Sequence, residues 1–144
     1  MGNTQSKSSV ELLVEDAGKN LYGNFAIEIF IGQTKEADKY FEEFKNILES
    51  TAIITDLVWG EYKGAFVAVF NKSTSNQRPW QRITKSFENC FKHLDKDVFI
   101  RIRIYKDVHF YDNAYMQSNC VLDEFVSWNN PMRVNLLGSI LANY

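Results

Sequence analysis

Apolar positions along the chain repeat with two different periods, and the change of period marks the elements. Around Asn24–Ile31, Phe25, Ile27, Ile29 and Ile31 alternate with Ala26, Glu28 and Phe30. A repeat of two is a strand with one buried face. The repeat returns at Val98–Tyr105, where Val98, Ile100, Ile102 and Ile104 alternate with Phe99, Arg101, Arg103 and Tyr105. His109–Asp112 either extends that strand or turns away from it. Between them the spacing becomes helical: Ala37, Tyr40, Phe41, Phe44, Ile47 and Leu48 line one face of a helix that Thr34 can cap and that runs to about Ser50. Its outer face is acidic, with Glu36, Asp38, Glu42, Glu43 and Glu49.

Ala52–Trp59 and Ala65–Phe70 read as a hairpin about Gly60–Gly64, and the second strand is apolar on both faces, which places it inside a sheet. Pro79 suits the first turn of a helix running to about Asp95. Trp80, Ile83, Phe87, Cys90, Phe91 and Leu94 face inward on it, and Arg82, Lys85 and Lys92 face out. Val121, Leu122, Phe125, Val126 and Trp128 predict a third helix over Gln117–Trp128, ended by Pro131. The apolar tail Met132–Tyr144 is expected to pack on the body. The order strand, helix, hairpin, helix, strand, helix predicts an α+β fold, a mostly antiparallel sheet with helices packed on one face. A ferredoxin-like split βαβ arrangement and a less regular one both satisfy it. With 144 residues, and only 2 Pro and 7 Gly, one domain over 23–144 preceded by a flexible arm over 1–22 accounts for the chain.

Charge changes this picture because it is segregated. Residues 1–71 are net −5, residues 72–106 net +6 and residues 107–144 net −3, although the whole is only −2. A basic middle between acidic flanks makes the protein an electrical dipole if the fold keeps the segments apart. Catalytic signatures are missing: the sequence has no phosphate-binding glycine loop and no H-E-x-x-H. Cys90 and Cys120, with two His, lack metal-ligand spacing and read as buried thiols in a reducing compartment. A Cys90–His109 nucleophile pair loses to the packing role that the apolar helix face gives Cys90. The chain is expected to be no enzyme, with no cofactor and no metal. Neither a secretory signal nor an apolar run long enough to span a membrane is seen, so the expected place is the cytosol.

Met1-Gly2-Asn3-Thr4-Gln5-Ser6-Lys7 fits the pattern M-G-x-x-x-[ST], in which Gly2 is N-myristoylated after Met1 is removed. The free α-amine of a glycine reaches the acyl donor unhindered, and small polar residues thread the acylating groove. One myristoyl chain binds membranes only marginally and needs a second signal. The arm is not polybasic, so the signal is expected from Lys7 together with Arg82, Lys85, Arg101 and Arg103 of the body on anionic headgroups, or from many copies acting together. Arg101 and Arg103 interleaved with Phe99 and Tyr105 also fit a single-stranded nucleic-acid platform, as a secondary role.

A myristoylatable start, an aromatic-rich α+β body and no catalytic motif resemble the matrix proteins of rhabdoviruses and other negative-strand RNA viruses. The likeness covers residues 24–112. It lies in the strand Phe25–Ile31, the helix Lys35–Glu49, the segment Trp59-Gly60-Glu61-Tyr62-Lys63-Gly64-Ala65-Phe66 and the strand Val98–Tyr105. It implies a self-associating protein that coats the inner leaflet of a host membrane, bridges it to a nucleocapsid protein and enters the virion. Glu36, Glu42 and Glu43 are then expected to meet the basic segment of a neighbouring copy, a head-to-tail contact that builds open arrays. The chain departs from that family in lacking a lysine-rich arm and proline-rich late motifs, while retroviral matrix proteins share the start but are helical. The alternatives are an acylated cytosolic adaptor for one protein partner and a single-stranded nucleic-acid-binding accessory protein.

Overall fold

A computed structural model describes residues 7–17, 23–32, 35–73, 77–92, 98–110 and 116–126. The elements are α1 (Ser9–Ala17), β1 (Phe25–Gly32), α2 (Ala37–Glu49), β2 (Ile54–Tyr62), β3 (Ala65–Lys72), α3 (Gln77–Phe91), β4 (Phe99–Phe110) and β5 (Met116–Val126). The five strands form one sheet in the order β2-β3-β1-β4-β5, and every neighbouring pair is antiparallel. β1 therefore runs with β2 and is separated from it by β3, while β3 runs with β4 across β1. Each such pair is joined through a helix, so the segment β1 to β4 is the double split βαβ of ferredoxin-like folds. β5 extends that sheet as a hairpin partner of β4, and the whole is an α+β domain.

One face of the sheet carries the main core. Phe25, Ile27, Ile29, Ile31, Phe66, Ala68, Phe70, Ile100, Ile102 and Ile104 point into it and meet Tyr40, Phe41, Phe44 and Leu48 of α2 and Ile83, Phe87 and Cys90 of α3. Phe44 is its hub. Its ring centroid lies 5.4 Å from that of Phe87 and 5.8 Å, edge-on, from that of Phe66, so it joins both helices to the sheet. β3 is buried from Ala65 to Phe70, as its two-sided apolar pattern predicts.

Three features differ from the sequence reading. Residues 9–17, expected within the flexible arm, form α1, whose Val10, Leu13 and Val14 are buried on the opposite face of the sheet over Ala26, Val67, Val69 and Val108. Helices thus cover both faces rather than one. The Ser8 hydroxyl caps α1 by accepting from the Glu11 backbone N–H at 3.2 Å, within the pattern Ser8-Ser9-Val10-Glu11. Nine residues are too few for a stable isolated helix, which needs about 12–15. α1 holds because each buried side chain contributes about 1.5–3 kcal/mol.

The second difference is β5, expected as a helix over Gln117–Trp128. The β4–β5 register shifts between Ile104 and Tyr105: Ile104 faces Leu122, but Tyr105 faces Cys120. Val121 is the extra residue of this bulge, and so Val121 and Leu122 both pack toward the main core. Two adjacent inward residues mimic helical spacing, although the chain is extended. Third, Cys120, expected buried, is exposed on β5, while Cys90 is buried.

Other bounds move less. The hairpin turn is Lys63–Gly64, both with positive φ (55° and 76°), the two-residue turn whose twist suits antiparallel strands. α2 is capped at Glu36 without a side-chain bond; Thr34 lies outside the described residues, as do Leu94, Asp95 and the tail Met132–Tyr144. Asp56 and Asp107 take φ of 54° and 53° at irregular points of β2 and β4. Asn71 and Asn119 donate to their carboxylates at 3.1 and 3.2 Å and pin these kinks. No helix among the described residues is long and apolar enough to cross a membrane.

Candidate functional site

α1 covers only part of the second sheet face. The registers define what remains. Phe30 of β1 stands opposite Ala65 of β3 and Arg101 of β4, and Arg101 stands opposite Phe125 of β5. One row further along, Glu28 stands opposite Arg103, and Arg103 opposite Asp123. Alternation carries all of these side chains to the same face. All of them except Asp123 line an open groove of about 340 Å³, together with Ser9 at the start of α1 and Lys63 in the hairpin turn.

The floor of the groove is ionic and internally matched. Arg101 donates to both oxygens of Asp123, Nε to Oδ1 and Nη2 to Oδ2, each at 2.8 Å. Arg103 Nε lies 3.5 Å from Glu28 Oε1 and 3.6 Å from Asp123 Oδ2, and its Nη1 donates to the Tyr105 hydroxyl at 3.4 Å. The two-point bond from Arg101 holds the Asp123 carboxyl below the usual carboxylate range. Burial pushes the Tyr105 phenol up, with Arg103 opposing it. Glu28 is only 8% exposed, and Arg103 beside it offsets the cost of taking a carboxylate from water.

The rim is aromatic. Phe30 is 39% exposed, Phe99 53% and Phe125 63%, and the Arg101 guanidinium lies 5.4 Å from the centroid of the Phe125 ring. Phe99 and Phe30 flank Gly32, where a Cβ would sit 3.0 Å from the Phe30 ring and 3.6 Å from Phe99 Cβ. Three exposed phenylalanines at one end of one face make an apolar patch, unlike apolar residues scattered singly.

The residues expected to bind a membrane or nucleocapsid divide between two surfaces. Arg101 and Arg103 lie in the groove, and Lys7 is tied to its edge: Lys63 Nζ donates to the Lys7 backbone carbonyl, and Lys7 pairs with Glu15. Arg82 and Lys85 are exposed on α3, in the layer on the other side of the sheet. Gly2 lies outside the described residues. Of the acidic set, Glu36 precedes α2 and Glu42 pairs with Lys45 at 3.1 Å on its outer surface. Glu43 instead turns toward α3. Burial, and then the Glu43 carboxylate bonded to it, push the Cys90 thiol up to about 12, so this thiol stays protonated.

In comparisons with family models, curated proteins and solved structures, none matches the chain. What it does must therefore be read from its own surfaces.

Those surfaces are two. Besides the groove, the helical layer shows the charge segregation seen in the sequence. α2 holds four acidic and two basic side chains, and α3 holds Arg78, Arg82 and Lys85 against Glu88. Arg78, Arg82 and Lys85 are all exposed and follow a helical spacing, so they form one ridge. Among the described residues no cluster of three or more His, Cys, Asp or Glu could hold a metal ion. The sequence reading missed Lys63 and Phe125 as members of the groove and Asp123 as the partner of its arginines. Asp123 and Phe125 carried a two-residue alternation that would have placed them, but the bulge at Val121 hid it.

Proposed function

We propose that the chain is an acylated, self-associating structural protein of the matrix type, with no catalytic step of its own. It coats the cytosolic face of a host membrane, is anchored in part by a myristoyl group on Gly2, bridges the membrane to a nucleocapsid, and is carried into virions. The observation that carries this reading is that acidic α2 and basic α3 lie side by side in one layer. A copy displaced along that layer sets its basic ridge against its neighbour's acidic one. Such a contact uses two different surfaces, so it does not close on itself and can grow into a sheet or filament. Charge complementarity of this kind sets partner choice and encounter rate.

Arg101 and Arg103 are engaged by Asp123 and Glu28, so the electrostatic membrane signal is assigned to Arg78, Arg82 and Lys85. Each basic residue near an anionic leaflet adds about 1 kcal/mol, and many weakly anchored copies bind together by avidity. The same engagement weighs against the nucleic-acid platform, which needs arginines free to meet phosphates.

Flotation with phosphatidylcholine–phosphatidylserine vesicles tests this reading. The acylated chain floats and assembles as concentration rises. Gly2→Ala loses at least about tenfold in vesicle binding. Arg82→Glu with Lys85→Glu abolishes assembly, and high salt weakens it. Equal flotation of the Gly2→Ala and acylated proteins, or a strict monomer on lipid, would overturn it.

A further inference from the structure

We infer that the groove on the second sheet face is the seat of the chain's own myristoyl group when no membrane is present. This rests on the acylation of Gly2 proposed above and adds where the acyl chain goes.

The path of the chain points there. Ser9 lines the groove, and Lys63, another lining residue, holds the Lys7 carbonyl. The amino-terminal end of α1 is thereby fixed at the groove's edge. Four residues separate Lys7 from Gly2. Fully extended, the five steps between them reach at most about 17 Å, so Gly2 stays within that distance of the groove's edge. An apolar chain in solvent is unfavourable, and the groove that Ser9 and Lys63 line also exposes the Phe30 and Phe125 rings.

The chemistry of the groove suits hydrocarbon better than a charged ligand. Arg101 is bonded twice to Asp123, and Arg103 is held by ion pairs to Glu28 and Asp123 at 3.5 and 3.6 Å, although its buried Nε makes no hydrogen bond. A phosphate or carboxylate entering would have to break these pairs. What the groove offers outward is the Phe30 and Phe125 rings, the Ala65 methyl and the aliphatic stems of the arginines. Its volume of about 340 Å³ lies at the low end of small-ligand pockets, about 300–1,000 Å³. The groove is open rather than enclosed, so it holds the chain weakly and gives it up to a bilayer. A seated chain lowers apparent membrane affinity by the fraction of molecules in which it is free.

The test uses the full chain acylated with a diazirine-bearing myristate analogue, with intact mass measured first. Light-induced cross-links are expected in the peptides containing Phe30, Ala65 and Phe125, and adding phosphatidylcholine–phosphatidylserine vesicles moves them to lipid. Replacing both Phe30→Ser and Phe125→Ser removes the cross-links, leaves the circular dichroism spectrum unchanged and raises vesicle affinity about tenfold, because the acyl chain is freed. If mass spectrometry shows Gly2 unmodified, both the anchor and its seat fail. If Gly2 is acylated but the cross-links fall elsewhere, for example in residues 127–144, the seat fails and the anchor stands. Unchanged vesicle affinity in the double variant also overturns the seat alone.

Discussion

The two faces of the sheet are built from the same alternating strands and do different work. The face under α2 and α3 is closed by interlocked aromatic rings and leaves Phe44, Phe66, Phe70 and Phe87 fully buried. Among the described residues the other face carries one short helix, and beyond it stand three exposed phenylalanines over paired charges. A close-packed layer resists any change of volume. A half-covered layer whose arginines stand beside carboxylates tolerates change and has surface to give to something else. The difference marks the first face as the one that holds the fold and leaves the second with exposed apolar surface.

The most forceful way to break this comparison is to open both faces. Phe44→Ala is expected to destabilise the protein by about 3–5 kcal/mol, measured by urea unfolding, because the cavity falls where two helices and the sheet meet. Phe125→Ser is expected within about 0.5 kcal/mol of the parent. Equal losses would mean that the second face is as structural as the first. Next in size is Leu13→Ala, which is expected to cost about 2 kcal/mol and to act locally. Hydrogen exchange in α1 should speed up while α2 and α3 keep their protection, since α1 is a short helix held by its own small cluster.

The thiols sharpen the comparison without disturbing it. Cys90 lies on the inner face of α3 with its thiol pushed up to about 12, and Cys120 is exposed on β5, where partial burial and then Asp123 also push its thiol up. A maleimide at neutral pH is expected to label Cys120 slowly in the folded protein and Cys90 only as the protein unfolds. The smallest effect is in the pH profile. Asp123 is held low by Arg101, so its pairing stabilises the fold above its ordinary value of 3.8 and is lost as pH falls through the lower, folded-state value. Glu61 has the opposite sign. Burial, then Asp38 beside it, raise its pKa above 4.5, so stability falls as pH rises from there through the raised value. Glu61→Gln should remove the second slope and Asp123→Asn the first, as read in thermal melts across the acid range.

Much of the fold was legible because local periods agree with tertiary burial. β1, β3, β4 and the inward face of α2 are where alternation and helical spacing place them. α1 was hidden by its length and polar flanks, although the Ser8–Glu11 cap and the spacing of Val10, Leu13, Val14 and Ala17 were present. β5 was hidden by one extra residue, Val121, which broke the alternation. The groove was legible only in part. The strand Phe99–Tyr105 showed its arginines and aromatics, but not that Glu28 and Asp123 neutralise them, since those partners arrive through strand register across 75 residues and 20 residues of sequence respectively. The shift from a basic face to a matched floor with an aromatic rim is the main change the structure makes to the expected site.

The proposed seat would exchange the acyl chain between the second face and a membrane. Hydrogen exchange on the acylated protein and on Gly2→Ala, each with and without phosphatidylcholine–phosphatidylserine vesicles, tests it most directly. Without vesicles, acylation should slow exchange at the Lys63–Gly64 turn and in β5. Vesicles should restore the faster exchange there, with the Phe44 layer unchanged throughout. Identical exchange of the two proteins at those sites would contradict the account.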